Sequence, residues 1–148
     1  MARGFSLMEL VVVLAILAIA AAVVAPGVGR TADGVRARAE VGAIAAFLRS
    51  AREQAVTRRH AMEVRVDDET NTLVMRDAGQ PGEAGVRATR GVSALLRIAA
   101  DPPAPRVTFF AHGMSTGVRF AISGPGARGY VITVDALTGR VSTTRVGS

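Results

Sequence analysis

Hydrophobic positions divide the chain into three regimes. From Leu10 to Ala25 no side chain is polar, and across residues 5 to 25 only Ser6 and Glu9 interrupt the run, leaving 19 apolar positions in 21. As a helix rising about 1.5 Å per residue, this segment is roughly 31 Å long, which matches a bilayer hydrocarbon core of about 30 Å. Pro26, Gly27 and Gly29 then kink or end that first helical segment. Over residues 32 to 59 apolar side chains recur at helical spacing. Val41, Ile44, Leu48, Ala51 and Ala55 form one stripe, while Arg38, Arg49, Arg52 and Glu53 fall mainly elsewhere. The stripe predicts an amphipathic helix lying on a sheet, because the short strands that follow need a cover.

From Ala61 the period becomes two. Met62, Val64 and Val66 alternate with Glu63, Arg65 and Asp67. The turn Asp68-Glu69-Thr70-Asn71 leads into Leu73 and Met75, and the pattern predicts a β-hairpin. Further strands are expected at Val107 to Ala111, Val118 to Ile122, Tyr130 to Ala136 and Gly139 to Thr144, with another at Val92 to Ile98 running into the Pro102–Pro105 loop. Gly79, Pro81, Gly82 and Gly85 predict a loop from 79 to 85. The expected fold class is α+β: a long N-terminal helix, with a membrane half and an amphipathic half, packed on an antiparallel β-sheet domain. The boundaries are a short basic lead-in at 1–4, a transmembrane helix at 5–25, its amphipathic continuation at 26–60 and a β-domain at 61–148.

Composition narrows the chemistry. The 148 residues are 49% hydrophobic, and a mean hydropathy of +0.32 is high for a chain with a net charge of +6. All 18 basic residues are Arg. The absence of Cys excludes a disulfide scaffold, a thiolate metal site, a Cys nucleophile and a lipoprotein anchor. His60 and His112 are too few for a His-based metal or catalytic cluster. Charge raises nucleic acid or an anionic membrane as partners without establishing either.

Glu9 is the informative residue of the apolar run. A cleaved secretory signal is the competing reading, since Arg3 supplies a basic leader and Ala18-Ile19-Ala20 or Ala20-Ala21-Ala22 resemble cleavage sites. A carboxylate in such a helix costs about 2.5 to 3.5 kcal/mol when central and less near an end, and a disposable signal has no reason to carry one. Glu9 therefore calls for a cationic partner. Arg30 is 21 residues away, beyond reach. Arg3 is near, and a cut between Gly4 and Phe5 would place a new α-amino group about one helical turn from Glu9, in its own chain or in a neighbour packed in register.

Gly4-Phe5-Ser6-Leu7-Met8-Glu9-Leu10, a short basic leader and the unbroken apolar run closely resemble the class III signal of type IV pilins and type II secretion pseudopilins. The resemblance implies that a prepilin peptidase cuts after Gly4 and methylates Phe5, and that Glu9 aligns subunits during assembly. Pro26 sits where that family often has proline, and Met8 stands where Ile or Leu is commoner. In the C-terminal half, Val107-Thr108-Phe109-Phe110, Gly113-Met114-Ser115-Thr116-Gly117 and Val131 to Val141 with its Leu137-Thr138-Gly139-Arg140 turn look like the β-domain of H-type minor pseudopilins (GspH) and their pilus relatives (FimT). This implies a pilin-like, non-enzymatic, low-copy subunit near the tip of a short filament, the pseudopilus. It would be a single-pass inner-membrane protein with a periplasmic β-domain, helping to export folded periplasmic proteins. The implied partners are other minor and major pseudopilins, the prepilin peptidase, the inner-membrane assembly platform and, before assembly, membrane lipid. No cofactor or metal is implied. A FimT-like minor pilin of a type IV pilus, active in pilus assembly or DNA uptake, is the alternative.

Other signals weigh less. Gly124-Pro125-Gly126-Ala127-Arg128-Gly129 spells a dinucleotide fingerprint, but strand-like residues follow where a helix would be needed, so a hairpin loop is favoured. Asp67-Asp68-Glu69 with Asn71 lacks the spacing of a calcium loop and reads as a solvated turn. His60 in Arg58-Arg59-His60 suits the negative end of a helix dipole, and His112 has no nearby carboxylate in sequence. Arg106, Arg119, Arg128, Arg140 and Arg145 line the last strands and form a phosphate-binding face only if the fold gathers them.

Overall fold

Among the described residues, alternation and helical periodicity translate into one α-helix and eight strands. The computed structural model describes the backbone of residues 6–67, 69–101, 106–124 and 129–147, and the side chains of all these except 23–32. The helix α1, Leu7–Arg58, is followed by β1 (Met62–Asp67), β2 (Thr72–Asp77), β3 (Val86–Gly91) and β4 (Arg97–Asp101), then β5 (Arg106–Phe109), β6 (Val118–Ser123), β7 (Gly129–Val134) and β8 (Val141–Val146). The helical backbone continues through Pro26, Gly27 and Gly29. A proline there withholds one N–H from a ladder that neighbouring turns maintain. At the other end Arg59 turns left-handed, with φ 57°, so α1 stops before His60. Two compact units result, Met1–Val35 and Arg36–Ser148.

The second unit carries the core. Its strands form two antiparallel four-stranded sheets, in the orders β3-β2-β1-β5 and β4-β6-β7-β8. Register aligns apolar residues across each sheet: Val64 lies between Met75 and Val107, and Phe120 beside Ile132. Val41, Ile44, Leu48, Ala51 and Ala55, the predicted stripe, are all buried in one cluster with these side chains. Small alanines at 45, 51 and 55 let the helix backbone approach closely, while Leu48 and Ile44 supply the volume.

The first hairpin and its four-residue turn match expectation, and four boundaries differ. No strand spans 92–98: Val92 and Leu96 are buried plugs flanking a turn, in which Asn71 Nδ2 donates to the carbonyls of Val92 (3.0 Å) and Ser93 (3.2 Å), and the Leu96 amide to Ser93 O (2.9 Å). Their apolarity serves the core rather than a ladder. The 79–85 loop contains a 3-10 turn, Glu83–Gly85, and opens directly into β3, a strand whose exposed, weakly alternating residues gave no periodic signal. β5 ends at Phe109 because the Phe110 amide turns to Met114 O (2.9 Å). β7 ends at Val134 and β8 begins at Val141, because Asp135 to Arg140 form a tight hydrogen-bonded turn.

Truncating the centre of the helical stripe leaves a cavity that two sheets cannot close. Leu48→Ala is expected to destabilise the protein by about 2–5 kcal/mol, read as a lowered denaturation midpoint with an unchanged slope.

Candidate functional site

The N-terminal unit begins with a cap. Ser6 immediately precedes α1; its Oγ accepts from the Met8 amide at 3.3 Å, and its carbonyl from the amides of Glu9 (3.0 Å) and Leu10 (3.2 Å). Glu9 is therefore the third residue of the helix, at the spacing of a capping box, where a carboxylate also opposes the positive end of the helix dipole. This gives Glu9 a local structural role that its apolar setting alone does not suggest. Its side chain is exposed and makes no ion pair among the described residues. Leu7, Met8, Leu10, Leu14, Ile16 and Ile19 are exposed as well, so every side of this helix presents apolar surface. Gly4 and Phe5 lie outside the described residues. So does the end of the predicted span, since described side chains of the run stop at Ala22; among the described residues no helix is long and apolar enough to cross a membrane.

A second arrangement, which periodicity does not reveal, joins the helix to the last hairpin. Asp135 Oδ1 accepts from the amides of Leu137 (3.1 Å) and Thr138 (2.8 Å) and from Thr138 Oγ1 (2.8 Å). These bonds, the Thr138 amide first, hold its carboxyl below the ordinary value of 3.8. Gly139 follows with φ 62°, and an added Cβ would collide with the Gly113 carbonyl and the Arg52 guanidinium. Arg52, on α1, donates from Nε to Gly113 O (3.3 Å) and Thr138 O (3.2 Å). Buried Ser115 completes the corner: Oγ donates to Asp135 O (2.9 Å) and accepts from the Gly117 amide (3.0 Å). Three segments far apart in sequence meet here. The Asp-x-x-Thr-Gly spacing was a visible sign of the turn; the roles of Arg52 and Ser115 had no local sign.

Beside this corner an open groove of ≈ 980 Å³ is lined by Arg49, Arg52, Glu53, His112 and Arg140, with Val56 and Val141 as apolar lining. His112 is stacked on Phe110, with centroids 5.7 Å apart and rings 4° from parallel. His60 stands apart at the helix end. Among the described residues no group of three or more His, Cys, Asp or Glu could hold a metal; Asp67 Oδ1 instead accepts the amides of Glu69 (3.0 Å) and Thr70 (3.3 Å) in the acidic turn, and Asp68 lies outside the described residues. Gly124 and Gly129 bracket a connection between antiparallel β6 and β7, so no helix N-terminus follows to face a pyrophosphate.

The arginines of the last strands are not gathered. Arg106 belongs to β5 of the first sheet. In the second sheet, Arg119 alternates with buried Phe120 and points outward, whereas Arg145 lies in the same row as Ile122 and Tyr130 on the core-side face. Arg128 is outside the described residues. What the fold brings together instead are Arg49, Arg52 and Arg140.

Family comparison joins the two ends of the chain. Residues 40–138, from the covering helix to the Asp135 turn, match the model of the type II transport protein GspH. The chain belongs to the GspH family. It is a pilin-like minor pseudopilin of a type II secretion system, a structural and non-catalytic subunit. Residues 1–25 match the prokaryotic N-terminal methylation motif. The type II secretion system protein H of Xanthomonas campestris pv. campestris is 29% identical over 139 residues, covering 94% of this chain and 81% of that protein. Among solved structures, the type IV minor pilin FimU of Pseudomonas aeruginosa superposes with a TM-score of 0.63 at 21% identity, over 72% of this chain and 91% of FimU. The minor pseudopilin EpsH from the type 2 secretion system of Vibrio cholerae gives 0.58 at 16%, over 78% and 98%. These two likenesses show a fold common to a pilus and a secretion subunit; the GspH match separates them.

Two variants probe the corner. Gly139→Ala combines a disfavoured φ with a steric collision and is expected to cost about 1–3 kcal/mol in denaturant unfolding. Folding lowers the Asp135 value, so its carboxylate contributes fully above 3.8 and loses that contribution as pH falls through the lower folded value. Asp135→Asn is expected to be less stable at neutral pH and to lose less stability on acidification, measured as midpoint against pH.

Proposed function

We propose that prepilin peptidase cuts this GspH-type subunit between Gly4 and Phe5 and methylates the new terminus. Residues 5–25 then hold it in the bacterial inner membrane with residues 61–148 in the periplasm. From there it enters the pseudopilus as a low-copy tip subunit, beside other minor and major pseudopilins and through the assembly platform, to help export folded periplasmic proteins. One observation carries this reading: Glu9 sits in the first turn of a helix whose apolar side chains are exposed all round. Such a surface requires a cover, which lipid supplies before assembly and neighbouring subunits afterwards. The methylation-motif match over residues 1–25 supports the processing step. In the filament, Glu9 neutralises the Phe5 amine of its own chain or of a neighbour in register, removing the cost of an unpaired carboxylate in an apolar core. The alternative of DNA uptake in a type IV pilus is not favoured, because Arg106, Arg119 and Arg145 fall on different sheets and faces.

Intact mass of the membrane-extracted protein tests the reading. The expected species begins at a methylated Phe5, whereas retention of residues 1–4 or cleavage near Ala20 would oppose it. Glu9→Ala is expected to show the processed mass and yet assemble poorly, as judged by the fraction recovered in sheared filaments. In the deleted strain, loss of exoprotein release is the expected phenotype, and loss of transformation alone would favour the pilus.

A further inference from the structure

The two sheets have four edges, and three are guarded. β3 pairs across a register shift at Met75/Arg76 and carries Arg87 and Arg90. β4 has five residues with Arg97 and Asp101 at its ends. β5 is covered by the following segment: the Thr116 amide donates to Thr108 O (3.0 Å), the Thr108 amide to Thr116 Oγ1 (3.1 Å), and Phe109 bridges Ser115. Bulges, charges and covering loops are the usual protections of a sheet edge. Among the described residues β8 has neither a bulge nor a cover, and its single charge, Arg145, lies next to the end of the strand. It pairs with β7 over six residues in unbroken register, contains neither Pro nor Gly, and is exposed at every residue after Val141, on both faces.

The hydrogen-bonding direction of the open edge follows from the turn. The Asp135 amide donates to Arg140 O, so residues 142, 144 and 146 bond to β7 by antiparallel alternation, and the N–H and C=O groups of Val141, Thr143 and Arg145 face away from it. Among the described residues no strand takes them up. Arg140 and Val141 also line the groove beside α1, where Arg49, Arg52 and His112 stand against a single carboxylate, Glu53.

We propose that the open edge of β8 and the basic groove beside it form one docking surface, on which an extended acidic segment of a partner protein adds as a fifth strand to the second sheet. Main-chain bonds to Val141, Thr143 and Arg145 supply affinity, and Arg49 and Arg140 select carboxylates. A second copy of this chain would bring only basic charge to this edge, since residues 140–148 hold Arg140 and Arg145 and no carboxylate side chain. Nucleic acid has no peptide edge to match the free row.

The test uses the full chain in detergent micelles and a fluorescent short peptide alternating glutamate with valine, followed by anisotropy at low salt against empty micelles. Saturable binding is expected. N-methylation of alternate peptide amides, Thr143→Pro and Arg140→Glu should each weaken it by about tenfold or more, the cost of one or two lost main-chain bonds or an inverted charge. Proline is tolerated where an edge N–H faces outward, and the N-methylated peptide asks the same question of the unaltered protein should Thr143→Pro not fold. Absence of binding, equal binding of the N-methylated peptide or of a lysine-for-glutamate peptide, displacement by duplex DNA, or self-association abolished by Thr143→Pro would each overturn the proposal.

Discussion

Both sheets depend on one face of the helix. Each four-stranded sheet has an apolar side that water would otherwise reach, and Val41, Ile44, Leu48, Ala51 and Ala55 close one core with both. The contact works because the buried face combines side chains of two sizes. Alanines bring the helix backbone near the strands, and Leu48 and Ile44 fill the spaces between. Glu40 adds a half-buried ion pair to Arg90 of β3 at 3.4 Å, which ties the start of this face to a sheet edge that the apolar stripe does not reach.

The far end of the same helix is held by polar geometry. Arg52 spends its Nε on two carbonyls from different loops, and those loops are themselves shaped by Asp135, Ser115 and a left-handed Gly139. Each bond is worth about 1 kcal/mol net, yet together they satisfy main-chain groups that would otherwise be unpaired near the core. The corner also sets where β8 begins, and thereby the direction of its free edge. The Leu137-Thr138-Gly139-Arg140 turn is thus a joint between helix and hairpin.

The N-terminal unit poses the opposite problem. Over its described residues 7–22 the helix has no polar face, so nothing in a single chain marks a preferred side. The proposed route from membrane to filament would suit such a surface, because both environments remove it from water without requiring one fixed contact. Among residues 7–22 Glu9 is the one residue that breaks this uniformity, and it does so in the first helical turn, where the dipole and the cap at Ser6 tolerate a carboxylate.

Local periodicity was sufficient to determine the apolar run, the helical stripe and the first hairpin, because each rests on residues a few positions apart whose spacing fixes a shared face, while the motif around Glu9 was legible through its resemblance to the pilin signal. The same logic failed at Val92 and Leu96, where buried apolar residues flank a turn held by Asn71, and at β3, whose outward residues carry no alternation. The division into two sheets, the meeting of Arg52 with Gly113 and Thr138, the separation of Arg106 from Arg119 and Arg145, and the open edge of β8 were decided only by tertiary structure. These depend on which strands pair and in which register, contacts between residues tens of positions apart whose free energy comes from joint burial and mutual hydrogen bonding, which no single segment contains.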